Sequence, residues 1–243
     1  MDSASAVSFS NQETTDNFNS VFNYLKNGEE QKLNTTIAPG SSRLVDLNNL
    51  FLNYDSDVSM TFLGEGTVKE NDLSYNVNGG NSTNIWENIS AVENSDADFL
   101  RNPAADDPTD GTMNFGDSMT LGSFGAGDQF EFLLTPEWSR GQGNSVTYSS
   151  ITANSINGDG LQHAIGYALD DRYMILGFED LYGEHRVGRN GFNENSDRDL
   201  NDVLLLVDMG EGNLASVPEP ATASALFAAG ALGLFGVRRR KNS

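Results

Sequence analysis

The sequence predicts a mainly β protein: an antiparallel two-sheet β-sandwich of jelly-roll type, with a short N-terminal helix and a single C-terminal transmembrane helix. Three observations lead there. From Ser41 onward short runs alternate apolar and polar residues, the period-two pattern of strands with one buried and one wet face. Clusters of Gly, Asn and Asp separate these runs, as the turns of an all-β domain require. Only one polar-flanked stretch, near the N terminus, repeats at helical spacing, and only the last apolar run is free of charge throughout.

Taken in order, the helix comes first. Thr15 or Asp16 can cap it, Phe18, Val21, Phe22 and Leu25 recur on one face, and Gly28 ends it. Leu44, Val45, Asp46 and Leu47 form a possible strand; Val58, Met60 and Phe62 alternate cleanly, as do Leu73, Tyr75 and Val77 before the turn cluster Asn78-Gly79-Gly80-Asn81. Residues 88–113 read as a long loop rich in Asp, Asn, Ala and Pro. Met119, Thr120 and Leu121 precede a glycine-rich turn, after which Phe130, Phe132 and Leu134 point into the core. A Gly/Ser/Asn segment over 139–145 leads to Val146-Thr147-Tyr148, and Asn157-Gly158-Asp159-Gly160 makes another turn. Strands follow over 163–169 and 173–178, and the last, Val203-Leu204-Leu205-Leu206-Val207, is apolar at every position. Such a run suits a central strand covered on both faces. The organisation is an N-terminal segment (1–40), a β-sandwich (41–208), a flexible linker (209–216) and a tail (217–243).

Charge bounds the function. The tail holds four of the 14 basic residues and one of the 35 acidic ones, so residues 1–216 carry 10 cations against 34 anions, a net charge of −24. Such a body repels nucleic acid and attracts divalent cations, which excludes nucleic-acid partners. With no cysteine, neither a disulfide framework nor a thiolate site is possible. Ala4-Ser5-Ala6 is the small-residue pattern that precedes a signal-peptidase cut, so the true start is expected upstream of Met1.

The tail reads Val217-Pro218-Glu219-Pro220, then an uncharged apolar run from Ala221 to Val237, then Arg238-Arg239-Arg240-Lys241. A helix over 221–237 would cross most of a hydrocarbon core, with the terminal cations left on the cytoplasmic side and the body outside. Motif, span and basic cluster together resemble the PEP-CTERM sorting signal of Gram-negative bacteria. That resemblance implies export, transient anchoring in the inner membrane, an exosortase-type sorting protease as partner, and delivery to the cell surface or an exopolysaccharide matrix.

The densest set of oxygen ligands lies between the last two strands. Asn193, Asn195, Asp197, Asp199 and Asn201 are spaced by two, so an extended chain would place five oxygen-bearing side chains on one side. Ca²⁺, which takes about 6–8 oxygen ligands, would neutralise them. The loop is not an EF-hand: Asp197-x-Asp199-x-Asn201 fits the first three ligand positions, but Asp202 stands where glycine belongs and Asp208 where the distant glutamate belongs. The competing reading is a solvated turn, its charge partly offset by Arg172, Arg186, Arg189 and Arg198.

Gly177-Phe178-Glu179-Asp180-Leu181 followed by Asp197-Arg198-Asp199-Leu200-Asn201-Asp202-Val203 resembles the C-terminal signature of the bacterial domain-of-unknown-function family 4114. Weaker echoes of its earlier part are Met60 to Gly66 and Gly122 to Leu134. The resemblance covers about residues 40–208 and implies a secreted β-sandwich with calcium sites. Its ligands would be Glu179, Asp180, Asp197, Asp199, Asn201 and Asp202.

Catalysis has little support in the residues. His163 and His185 are the only histidines; no Gly-x-Ser-x-Gly elbow and no His-Glu-x-x-His pattern accompanies them, and both read as structural. Two carboxylates for glycoside hydrolysis are trivially available among 35 acids, which carries no information. Trp86 and Trp138 lie near polar loops and could stack on sugars, so a carbohydrate-binding module is the second expectation and a glycan hydrolase the third. The first is a non-catalytic, Ca²⁺-stabilised exported module.

Overall fold

The computed structural model describes residues 7–27, 43–67, 70–92, 113–136, 146–151, 157–183, 194 and 196–214. Helix α1 (Gln12–Lys26) opens the fold. It starts earlier than Thr15 or Asp16 would allow, because the Asn11 side chain accepts the Thr14 amide at 2.7 Å and so becomes the cap. The Thr14 hydroxyl reaches Asp170, and the Asn17 side chain donates to the Leu169 carbonyl, which fixes the first half of the helix to the sheet below.

Ten strands follow. They are β1 (Arg43–Leu44), β2 (Ser56–Gly64), β3 (Asn71–Val77), β4 (Thr83–Ile89), β5 (Ser118–Phe124), β6 (Phe130–Pro136), β7 (Tyr148–Ser149), β8 (Ala164–Ala168), β9 (Tyr173–Phe178) and β10 (Val203–Asp208). They form two antiparallel sheets, ordered β1-β8-β9-β10-β2-β5 and β4-β3-β6-β7. The expected strand over 44–47 stops at Leu44, since the Asp46 carboxylate accepts the Asn48 amide and turns the chain into a short 3₁₀ helix. Between β3 and β4 the Asn78-Gly79 pair takes left-handed φ values of 55° and 66°, the geometry of a tight hairpin. In β5, Gly122 (φ 143°) sits where the pairing with β2 slips a register, so the strand runs on past it to Phe124.

One core fills the space between the sheets. Val58, Met60 and Phe62 of β2 and Val203, Leu205 and Val207 of β10 meet Phe130, Phe132 and Leu134 of β6 there. A second core lies on the outer face of the six-stranded sheet, where Phe18, Val21 and Leu25 of α1 cover Leu63, Ile165, Tyr167, Ile175, Leu204 and Leu206. Strand β10 therefore contributes alternate residues to two cores, which is why its sequence is apolar without a break.

Residues 209–214, expected as a flexible linker, are instead built into the body. Met209 and Leu214 are buried in the main core, their amides donating to the Arg172 and Asp171 carbonyls at 3.0 and 2.7 Å. The Asn213 carboxamide oxygen accepts the amides of Asn53 and Tyr54 at 2.7 and 2.8 Å, while its nitrogen donates to the Met209 carbonyl at 2.8 Å. Gly210 and Gly212, with φ of 83° and 79°, supply the bends. Asn213→Ala should therefore lower stability by about 1–2 kcal/mol, because two partly buried amides lose their acceptor. Urea unfolding midpoints report this directly; an unchanged midpoint would mean that water replaces Asn213.

Candidate metal centre

Strand register brings the two halves of the site together. Phe178 pairs with Val203, so the residues just after β9 (Glu179, Asp180) and just before β10 (Asn201, Asp202) emerge side by side from the same end of the sheet. The Asp180 amide donates to Asp202 Oδ2 at 2.7 Å, and the Glu179 amide donates to the His163 carbonyl beside β8 at 3.0 Å. The preceding loop is not extended: Arg198 and Leu200 take φ of 64° and 59°. Left-handed residues are unusual away from glycine, and here they curl the chain. Asp197 and Asp199 stay on one side, while Arg198, Leu200 and Asn201 turn inward.

Carboxylate oxygens of Glu179, Asp197 and Asp199 all lie within 4.8 Å of one another. Ligands held by one ion at about 2.4 Å can be no further apart than about 4.8 Å, so the three can share a cation the size of Ca²⁺. Asp197 is exposed, Asp199 intermediate and Glu179 fully buried, so the cluster runs from solvent to the interior. Glu179 Oε1 accepts the Leu181 amide at 3.3 Å, whereas Oε2 is buried and, among the described residues, has no hydrogen-bond partner. An ionised oxygen in that position is costly unless a cation meets it. Burial, and then the charge of Asp197, push the Glu179 carboxyl up to about 8, against a hydrogen bond from Ser196. Burial likewise raises Asp202 well above the carboxylate range, with Asp180 and Glu179 adding to it.

The six ligands implied by the family resemblance thus separate. Glu179, Asp197 and Asp199 converge. Asp180 and Asp202 lie deeper, Asp180 accepting the Asn71 carboxamide at 3.0 Å and Asp202 the Asp180 amide. The Asn201 side-chain nitrogen donates to the Leu25 carbonyl of α1 at 3.2 Å. Asn195 and Asn193 lie outside the described residues, as do Arg186, Arg189 and His185. Arg172 pairs with Asp208 at 2.6 Å, and Arg198 donates from Nη2 to the Gln162 carbonyl at 2.8 Å.

Beneath the cluster is a polar knot that spacing did not reveal. His163 is fully buried, its Nδ1 on the Glu179 carbonyl at 3.1 Å and its Nε2 on Asp159 at 3.0 Å, and its ring stacks on Tyr148 at 3.7 Å. Burial alone would raise Asp159, but hydrogen bonds from His163 and from the Leu161 and Gly183 amides hold it below the usual range. Asp159 belongs to a sequence legible only as a turn; that it caps three groups at once depends on the fold. Trp86, offered above as a sugar platform, is partly buried in β4 and packs against the main core. Trp138 lies outside the described residues.

Comparison with known families identifies the tail. Residues 216–241 match the PEP-CTERM protein-sorting motif. The motif spans Val217-Pro218-Glu219-Pro220, the apolar run and the Arg238-Arg239-Arg240-Lys241 cluster, and marks an exported protein for an exosortase-type partner by a membrane-anchored route. It covers about a tenth of the chain and lies outside the described residues. Among those residues, no helix is long and apolar enough to cross a membrane. No curated protein and no solved structure matches the chain.

Proposed function

We propose that this chain is a non-catalytic surface or matrix module: a β-sandwich completed by Ca²⁺ at Glu179, Asp197 and Asp199, and delivered through its PEP-CTERM sorting motif. In this reading the apolar run 221–237 holds the protein in the inner membrane until the sorting protease acts, after which the body passes to the cell surface or exopolysaccharide matrix. The observation that carries the cation is the buried Glu179 carboxylate, with Oε2 unpartnered among the described residues and two further carboxylates within 4.8 Å. All the converging donors are oxygen, which suits a hard divalent ion. The likeness of the Gly177–Leu181 and Asp197–Val203 blocks to the domain-of-unknown-function family 4114 supports the same reading.

Its mechanism is coupling of fold to ion. Like charges gathered at the end of β9 and β10 oppose folding until a cation joins them, and the ion's binding energy then becomes folding energy. The test is thermal unfolding of the full-length chain with excess Ca²⁺ and with excess chelator, beside an Asp197→Ala, Asp199→Ala variant. At Ca²⁺ a hundredfold above its dissociation constant the parent should gain about 2.7 kcal/mol, several degrees in melting temperature, and the variant almost nothing. A parent indifferent to Ca²⁺ leaves the cluster a solvated turn.

A further inference from the structure

Helix α1 is docked by the same loop that presents the carboxylates. Asp199 Oδ1 accepts the backbone amide of Asn201 at 3.2 Å, and the Asn201 side chain, 6 % exposed, donates to the carbonyl of Leu25 in the last turn of α1. Between them, Leu200 sends its side chain into the second core with Phe18, Val21 and Leu25. Three consecutive residues therefore link a candidate ligand to the helix. The loop also has little freedom to do one job without the other. A Cβ on Gly177 would stand 2.4 Å from the Leu200 carbonyl oxygen, and one on Gly66 would stand 2.2 Å from Asn201 Oδ1, so both residues are seated directly on backbone. The first half of α1 has anchors of its own in Asp170 and the Leu169 carbonyl; the last turn is where Asn201 holds it.

We propose that the cation bound by Glu179, Asp197 and Asp199 controls the docking of α1: with the ion the 197–201 loop is fixed and the last turns of α1 are clamped, and without it they release, uncovering the apolar sheet face of Leu63, Ile165, Tyr167, Ile175, Leu204 and Leu206. This rests on the cation site proposed above. It makes the site a switch for an apolar surface, beyond a source of stability.

Two linked measurements on the full-length chain test it. Calcium chloride is titrated calorimetrically into the parent and into Val21→Ala, and amide hydrogen exchange over α1 is followed with Ca²⁺ and with chelator. Val21 is fully buried in the second core, on the helix side of the coupling, and is not among the candidate ligands. Coupling is reciprocal, so weakening the helix must weaken ion binding. The expected results are exchange over 18–26 slowed about tenfold or more by Ca²⁺, and a Val21→Ala dissociation constant raised about three- to tenfold. A parent that binds Ca²⁺ while α1 exchanges at one rate, and a variant that binds as tightly as the parent, would overturn the coupling and leave the site intact. A parent that binds no Ca²⁺ would overturn the site itself. An Asn201→Ala chain that still binds Ca²⁺ but shows no slowing of α1 would identify the link.

Discussion

Glu179→Gln should make the cation-free protein more stable than the parent at neutral to alkaline pH, and abolish its response to Ca²⁺. The carboxyl is fully buried and its folded-state pKa is raised from 4.5 to about 8, chiefly by burial and then by Asp197. The sign follows from which state holds the proton. Below about 4.5 the group is neutral whether folded or unfolded and costs nothing; as pH rises from there, the unfolded chain ionises freely while the folded one resists, so stability falls until about 8 and is then constant in this respect. Asp202, also raised, adds to the same trend. In chelator the parent should thus lose on the order of a few kcal/mol between pH 5 and pH 8, and the amide variant clearly less. Ca²⁺ acts oppositely, since it requires the ionised ligand and becomes more effective as pH rises. Urea unfolding at the two pH values, with and without Ca²⁺, reads both effects. A parent equally stable at pH 5 and pH 8 in chelator would show that Glu179 ionises without penalty.

Gly177→Ala is expected to be among the most damaging single-methyl additions in the described fold. Its new Cβ would meet the Leu200 carbonyl oxygen at 2.4 Å and Leu204 Cδ2 at 3.1 Å. The leucine methyl can rotate away; a carbonyl oxygen in a loop held by Asp199 and Asn201 cannot move without taking the loop along. Overpacking of this kind costs about 1–3 kcal/mol, and the rigid neighbour places this case at the upper end or above. Because the displaced loop also carries Asp197 and Asp199, the melting temperature should fall and the Ca²⁺-induced gain should shrink together. A variant within about 1 kcal/mol of the parent, with its Ca²⁺ response intact, would mean that β9 and the loop separate cheaply.

The two-sheet architecture was legible where period two was undisturbed. Val58, Met60 and Phe62 declared β2, and Phe130, Phe132 and Leu134 declared β6, because these residues face the main core while the alternating Ser59, Thr61, Glu131 and Leu133 are only partly buried. The unbroken run of β10 declared a central strand, and it lies between β9 and β2. Strand β4 escaped notice for a physical reason: its pairing with β3 slips twice, Asn88 takes φ of 53°, and its buried residues Ile85 and Ile89 are consequently four apart. The 209–214 segment, rich in Gly, Asn and acid, has a linker's composition, and only the fold shows Asn213 filling a hub. At the site, spacing drew attention to Asp197 and Asp199 and the family resemblance to Glu179, and the three carboxylates do converge, though Asp197 and Asp199 share a side without an extended chain. Curling at Arg198 and Leu200 does it, and no local pattern announces a left-handed leucine. Asn201, which fits a ligand position by spacing, also donates to α1, a contact across 176 positions of sequence that no local pattern announces.

The manner in which the chain leaves the fold also decides how it bears load. The tail is joined to the end of β10, a strand hydrogen-bonded on both sides to β9 and β2, with the 209–214 hook intervening. A pull on that tail cannot peel an edge. It must first strip Leu214 and Asn213 from their seats and then draw a central strand out between two neighbours, so force at the anchor is resisted by the most interior element of the domain. A module tethered at a surface by such a tail would yield under tension at the hook and keep its sandwich intact.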